Sequence, residues 1–579
     1  MEKVKGHSSD RVALAVQRGL LSDFRAVLGP TFAQAQFDAL NGGTNPRDIV
    51  WPTLGIVDAW RFKAWRQLEL WLKRYTFDVD VFTQEELDAR TLQKYIADQE
   101  RLAVQTPLPL STMMVVREAR RLARVILGDF EEDEAIALSK IGARATYQGP
   151  LKTAYLDCKL GDPGSFTCPT ALRQWFFKAI GDDPILKGIV KSIFASQSKA
   201  AKGGKPTKIN LSADSLALVL VAKSWKVKRP ITPLSLVGLF RSYGIGRACE
   251  RRLNDYRLPI KRLQNRHKKL ARRASKNRRH VTADLVSASQ SLTIWLLNRV
   301  LPRTWFVPLK ATFLRTLDCD AGRLHNMSVL PMGNAATFPI QTLVFYCLIR
   351  AIGNLLKVKG VYSVYGDDLI YPRRIHSYVV KVFATLGLQI SAEKTFAKSY
   401  FRESCGGDYY LGCDVRPALM PERPSTPLVG LRYQQFLYKV LNSLLARWDR
   451  CEIPSTVRWL EMEILSVSPE ILQVPMHYPP TSGLQVETPL TDVWWWRRST
   501  PKYCAFNMET GTASVSFKAI LNTGPTKRPV ATAIPYYWDW LRKSNERTLD
   551  KRHVWSRRAF WPSVLSPLSY RYDRKSKEW

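Results

Sequence analysis

A chain of 579 residues with 45% hydrophobic and 11% aromatic content can bury several cores, which excludes a disordered or low-complexity protein. Its 87 lysines and arginines against 50 acidic residues leave a formal charge of +37, an excess that asks for a polyanionic partner. That charge is spread along the chain and not gathered on one amphipathic helix, so nucleic acid fits better than a membrane surface.

Nine scattered cysteines without a CxxC pair argue against both a disulfide framework and a zinc ribbon. Met1 to Arg18 is polar and of mixed charge, unlike a secretory signal. The most apolar long stretch, Pro339 to Leu356, carries Gln341, Arg350 and Asn354, which suits a buried helix better than a membrane span. The expectation is a soluble protein of a reducing compartment.

To about residue 150 the pattern is helical. Trp60, Trp65, Leu68 and Leu72 recur at helix spacing as core residues, and Ser111 is placed to cap a run continuing through Arg117 to Leu127. From Lys261 to His280 there are ten lysines and arginines and no carboxylate, which predicts either phosphate contact or a mobile basic loop. Between about Val281 and Pro417 short apolar strands alternate with helices, an α+β pattern. Beyond it lies a tryptophan-rich region with Trp494, Trp495, Trp496, Trp538 and Trp540, expected to pack and not to stack on bases.

Three segments of the α+β region carry chemistry. Val361 to Tyr371 reads as two β-rich arms joined by Gly366, Asp367 and Asp368, a hairpin whose turn presents two adjacent carboxylates. Val281 to Leu285 is a short strand delivering Asp284, followed by a serine-rich turn and a helix beginning near Ser291. A carboxylate at that strand end can join the hairpin pair to hold two metal ions, as nucleotidyl transfer requires. Asp318 and Asp320 compete for the partner role but lack the strand-then-helix context. Leu330 to Pro339 is a loop opening an apolar helix, where Gly333 permits close backbone approach and Asn334, Thr337 and Gln341 can hydrogen-bond a ribose.

In order and wording these segments resemble the palm motifs of viral RNA-dependent RNA polymerases, and most closely the replicase subunit of single-stranded RNA bacteriophages. The likeness rests on Asp284-Leu285 with Ser287-Ala288-Ser289, Met332-Gly333-Asn334 with Thr337-Phe338, and Tyr365-Gly366-Asp367-Asp368. Glu393-Lys394-Thr395-Phe396 and Phe401-Arg402-Glu403-Ser404-Cys405-Gly406 reinforce it. Lys223-Ser-Trp-Lys226 with Arg229, and Gly142 through Thr146, are fainter echoes.

The resemblance implies an α+β right hand: an N-terminal helical region to residue 130 bracing the fingers, fingers over 131–280, a palm with antiparallel sheet flanked by helices over 281–417, and a thumb and C-terminal region over 418–579. It implies template-directed RNA synthesis with two magnesium ions held by Asp284, Asp367 and Asp368, and Lys394 protonating pyrophosphate. Lys223, Lys226, Arg229, Gln290, Gly333, Asn334 and Thr337 would bind the nucleotide, and Arg402, Glu403 and Ser404 would lie near the primer. Implied partners are RNA, nucleoside triphosphates, host elongation factors Tu and Ts and a ribosomal RNA-binding protein, in the cytoplasm of a bacterial host. One departure stands out: the family expects an aspartate where this chain has Gln290, which bears on ribose recognition and not on metal binding. It keeps a reverse transcriptase open as an alternative, beside a catalytically inactive RNA-binding scaffold. Cys405 is not expected to be a nucleophile, because no histidine lies near it in sequence.

Overall fold

The computed structural model describes residues 7–41, 58–75, 77, 83–104, 106–140, 146, 167–181, 187–188, 214–223, 227–319, 322–476, 478–486, 504–507, 512–515 and 519–520. Lys226, Asp320, the Gly142 segment before Thr146, and Trp494, Trp495, Trp496, Trp538 and Trp540 lie outside the described residues. The described residues form two compact units, one from those before 82 together with those from 415 onward, the other from those between.

In the first unit, helices Ser9–Asp23 and Ala59–Leu70 share a core with Leu431–Leu445 and Pro454–Leu465. Val12, Val16, Leu20 and Leu68 are buried in one cluster with Leu437, Leu441, Leu460 and Ile464. Each such side chain removed from water contributes roughly 1.5–3 kcal/mol, so burial joins segments that are far apart in sequence. Gln67 fixes their register. Fully buried, it donates to Ala418 O at 3.0 Å and accepts from Ala418 N at 2.8 Å and Trp448 Nε1 at 2.9 Å. Leu72 is buried in this core, while Trp60 and Trp65 pack on it half-buried.

The second unit begins with α1 (Gln84–Ala103), opened by a capping box in which Thr83 and Glu86 satisfy each other's backbone N–H. Next comes α2 (Leu110–Leu127). Its N-cap is Pro109, so Ser111 sits inside the first turn and not at the cap: proline's fixed φ ends the extended approach two residues earlier than expected. Strands β1 (Val219–Ala222) and β2 (Lys228–Ile231) pair antiparallel, and α3 (Leu236–Asp255) follows.

The basic run is a helix, α4 (Ile260–Asn277), and not a loop. Leu263, His267, Ala271 and Ala274 recur on one buried stripe, which anchors it; Lys261, Arg262, Arg266, Lys269, Arg272, Arg273 and Lys276 remain exposed. Then come β3 (His280–Ala283) and β4 (Leu285–Val286). The helix expected near Ser291 begins at Ile294, because Thr293 Oγ1 accepts the Leu296 N–H at 3.2 Å and caps it there.

Helix α5 (Thr337–Leu355) is the one described helix long and apolar enough to cross a membrane, yet 78% of its apolar window is buried inside the protein, where it forms the core's centre. The hairpin strands are β5 (Ser363–Tyr365) and β6 (Asp368–Pro372), followed by α6 (His376–Thr385) and β7 (Gln389–Ile390). A meander of β8 (Phe401–Ser404), β9 (Gly407–Tyr410) and β10 (Cys413–Asp414) ends the unit. Three of these strands form an antiparallel sheet in the order β3-β6-β5, while β7 pairs with β4. The unit is thus α+β, with a small antiparallel sheet flanked by helices.

Helix α4 ties this sheet to the meander through His267. The buried ring lies 2.9 Å from Ser404 Oγ at Nδ1 and 2.9 Å from Ser363 Oγ at Nε2. A neutral imidazole offers one donor and one acceptor, so one serine must donate and the other accept. Burial, helped by the Arg266 charge, holds the ring's pKa down at about 3. A depressed histidine pKa means stability that is present above the ordinary value of 6.5 and lost as pH falls toward about 3. His267→Ala should therefore destabilise the unit by roughly 2–4 kcal/mol, since it opens a cavity and strands two hydroxyls. His267→Gln should lose melting temperature less steeply than wild type as pH drops below 6.5. Superimposable acid profiles would show that the ring is not held neutral.

Candidate active site

The Gly-Asp-Asp turn is a two-residue hairpin closed by the Tyr365↔Asp368 pair. Gly366 has φ of +63°, the positive value that the first central residue of such a hairpin needs. A Cβ there would also lie 2.5 Å from the Phe338 ring, so only glycine fits. The Gly366 N–H donates to Thr342 Oγ1 at 3.0 Å, and Phe338 meets the Tyr365 ring edge-on at 4.6 Å. Helix α5 thereby sets the height at which the turn stands.

The register of β3 on β6 ends at Ala283↔Leu369, and one further step brings Asp284 opposite Asp368. Asp284 is fixed through its backbone by the Ser391 N–H, which donates to its carbonyl at 2.8 Å, and its Oδ1 accepts the Leu285 N–H at 2.8 Å. Its Oδ2 takes Lys394 Nζ at 2.5 Å. Asp368 Oδ2 accepts the Cys405 N–H at 3.1 Å, from a turn in which Cys405 and Gly406 both have positive φ.

Three carboxylates in one place repel one another, and the proton affinities of Asp367 and Asp368 record it together with burial. Burial first, then Asp367 and Asp284, push Asp368 up to about 7 despite the Cys405 hydrogen bonds. Asp367 keeps solvent access, yet burial of its surroundings and then the Asp284 charge raise its pKa, against Lys394 and Arg229. Burial opposes the charge on Lys394, but Asp284, Glu403 and Asp367 together raise its pKa. Lys223 is lowered, by burial and then by Arg229, Lys394 and Lys94, while Asp284 draws it the other way. Lys223, Arg229 and Lys394 therefore share the electrostatic neighbourhood of the carboxylates.

Donor chemistry here suits a hard divalent cation: oxygen ligands only, with Asp367 and Asp368 raised in proton affinity by burial and by their acidic neighbours. Among the described residues no three His, Cys, Asp or Glu side chains converge closely enough to hold an ion as they stand. Lys394 supplies positive charge at Asp284. Asp318, the expected competitor, belongs to a different sheet, where it accepts from Ser215 Oγ and pairs with Arg323 at 3.3 Å.

Gln290 is buried, and its Oε1 has no partner among the described residues. The neighbouring Ser287, at φ of +49°, donates to Asp98 of α1 at 2.5 Å. Gly333 has φ of +128° and lies so close to the Thr232 carbonyl that a Cβ would sit 2.4 Å from it. Asn334 is buried, with its Oδ1 accepting the Ala336 N–H at 2.9 Å, and Thr337 Oγ1 donates to the Pro331 carbonyl at 2.9 Å. Both hold the loop that opens α5.

Arg402 corrects an expectation. It is fully buried, and its guanidinium donates to the carbonyls of His280, Ser399, Phe401 and Ala397, so no face is left for a primer. The guanidinium fastens the meander to β3. Ser404 is likewise buried on His267, whereas Glu403 is half-buried near Lys394. Burial and the Asp368 charge push the Cys405 thiol well above its ordinary range, the opposite of an activated nucleophile. Sequence reasoning missed His267 and Asp98; only the absence of apolar residues at those two inward helix positions hinted at them.

The profile of the family described as RNA replicase, beta-chain, matches residues 105–478, more than half of the chain. The RNA-directed RNA polymerase subunit beta of Enterobacteria phage SP is 31% identical over 342 residues, 58% of this chain and 54% of that subunit. The corresponding subunit of Escherichia virus Qbeta is 32% identical over 237 residues, 40% of this chain and 38% of the relative. The matched region thus spans about half or less of these relatives' length. Among solved structures, the RNA-dependent RNA polymerase of a human picobirnavirus superposes with a TM-score of 0.38 at 14% identity, covering 65% of this chain and 77% of that one. By the extent of the profile match, this chain belongs to the RNA replicase beta-chain family.

Proposed function

We propose that the chain is an RNA-directed RNA polymerase that copies a phage RNA genome, with Asp284, Asp367 and Asp368 at its chemical centre. The observation that carries this reading is the meeting of two strand-borne acidic segments, 84 positions apart between Asp284 and Asp368, beside Lys223, Arg229 and Lys394. Asp284 and Asp367 would hold two magnesium ions with Asp368 assisting; when bound, the ions lower the pKa of an attacking 3′-hydroxyl and offset charge on departing pyrophosphate. Lys223 and Arg229, with Lys226, neutralise the triphosphate, and Lys394 hands a proton to the leaving group once Asp284 releases it. In this reading residues 131–280 act as fingers, 281–417 as palm and 418–579 as thumb, the first helices packing into one core with the thumb and not bracing the fingers. Partners proposed by the phage resemblance are RNA, nucleoside triphosphates, host elongation factors Tu and Ts and a ribosomal RNA-binding protein, in the bacterial cytoplasm.

Gln290 decides between ribo- and deoxynucleotide synthesis. Its unpartnered Oε1 can accept a hydrogen bond from a ribose 2′-hydroxyl, which a deoxynucleotide cannot give. That favours RNA synthesis over the reverse transcriptase alternative. The inactive-scaffold alternative would require the carboxylates to be idle, although their strained proximity is costly to maintain.

Asp367→Asn should lower nucleotide incorporation on a primed RNA template by about a thousandfold or more while leaving RNA binding within about twofold, since it removes a metal ligand and touches no basic surface. Near-normal synthesis by this variant would overturn the assignment. Folded Asp368 has a pKa raised from 3.8 to about 7, so ionising it in the fold costs stability that is progressively lost as pH rises between those values. Magnesium should recover that loss, raising the melting temperature more at about pH 8 than at about pH 5.5. Equal increments at both pH values would count against a carboxylate metal site.

Gln290→Asp should raise the ratio of kcat/KM for ribo- over deoxynucleotides, because a shorter, charged acceptor pairs more strongly with the 2′-hydroxyl. A ratio that stays level or falls would remove Gln290 from sugar recognition.

A further inference from the structure

Helix α2 has two unlike faces. Inward, Val115, Val116, Ala119, Leu122, Ala123 and Ile126 are buried in the core beside α5. Outward, Arg117, Arg120, Arg121 and Arg124 line an open cavity of about 650 Å³. Their spacing of three and four residues stacks them along one side of the helix, with successive turns about 5.4 Å apart.

The cavity's one carboxylate is already committed. Glu118 receives both Nε and Nη2 of Arg121, at 2.7 and 2.8 Å, and the Asn354 amide at 2.8 Å. Those contacts hold its pKa below the ordinary carboxylate range. Arg117, Arg120 and Arg124 have no acidic partner there, and the Arg120 Nε–H is buried without an acceptor among the described residues. The walls between them are apolar and open: Met114 is 52% and Leu355 41% exposed.

Three uncompensated guanidiniums interleaved with exposed apolar side chains match a single nucleic-acid strand, whose phosphates take arginine forks and whose bases take flat apolar or guanidinium faces. Leu355 ends α5, whose other end at Thr337 opens from the Gly333 loop, so the cavity lies about 27 Å along that helix from the catalytic loops. We propose that this arginine-lined cavity is a second RNA-binding site, holding single-stranded template or product away from the reacting carboxylates. The choice of RNA as the polyanion rests on the polymerase reading above; the binding site itself rests on the cavity's geometry and charge.

The test is fluorescence anisotropy of a labelled single-stranded RNA on the full chain across a series of salt concentrations. The Arg117→Gln, Arg120→Gln, Arg124→Gln triple variant keeps Arg121 and so keeps Glu118 paired. It should bind RNA about tenfold more weakly and lose about 2 from the slope of log affinity against log salt, about 0.7 for each phosphate contact. Arg124→Gln alone, at the exposed end, should lose about 0.7 of slope and serves if the triple variant does not fold. An unchanged slope and affinity in a folded variant overturns the proposal. So does a variant that keeps the RNA slope but loses binding of a polyglutamate peptide, which would assign the cavity to an acidic protein. Nucleotide incorporation by the wild-type chain is scored separately: its absence would sink the polymerase reading, while a lost salt slope would still establish the site.

Discussion

Mutual repulsion among Asp284, Asp367 and Asp368 is the constraint around which the second unit is arranged. At an effective dielectric near 20, two carboxylates about 4 Å apart oppose each other by about 4 kcal/mol, so no such group gathers without a scaffold that insists on it. That insistence comes from backbone pairing, which is indifferent to side-chain charge. Strand β6 is pinned on both sides, by β3 and by β5, and its register carries Asp284 and Asp368 to opposite positions. The Cys405 N–H and the Lys394 ammonium then offset part of the charge.

Support for that scaffold is polar as well as apolar. His267 reaches from α4 to one serine on β5 and one on β8, while Arg402 joins β8 to the His280 carbonyl on β3. Buried polar groups of this kind are expensive when unpaired and directional when paired, so they select one alignment of two hairpins where apolar packing would tolerate several. Burial lowers even the Arg402 guanidinium to about 10, a measure of how little water remains around it. The same helix that supplies His267 inward presents arginines and lysines outward, so that basic face and the Gly-Asp-Asp hairpin share one rigid element.

What the sequence made legible was local. The glycine before two aspartates, flanked by β-branched and aromatic arms, dictates a hairpin, because its pattern and its turn chemistry agree. The apolar run after Pro339 dictates a buried helix for the same reason. The rest was hidden by distance or by ambiguity of charge. His267 lies in a run of cations that reads as surface, and its partners are 96 and 137 positions away. Arg402 looks like an exposed hairpin residue, yet four carbonyls surround it, and carbonyl positions follow from tertiary structure alone. Gln67 and Ala418 join 351 positions apart, which no periodicity reveals, and therefore a division into consecutive regions could not show that the two ends of the chain share one core.

Lys394 links the electrostatics to the chemistry. It sits 2.5 Å from Asp284, where it satisfies a carboxylate that would otherwise face two like charges. A divalent cation offers twice the charge and several oxygen positions, so it competes for Asp284 on better terms than one ammonium can. Lys394 is also drawn on by Glu403 and Asp367 and faces the Lys223 charge, so its ammonium lies among groups of both signs. The ion pair therefore offsets part of the charge that the three carboxylates bring together. The pairing that balances the carboxylates thus also keeps Lys394 protonated, because the same negative neighbours that it offsets raise its pKa against burial.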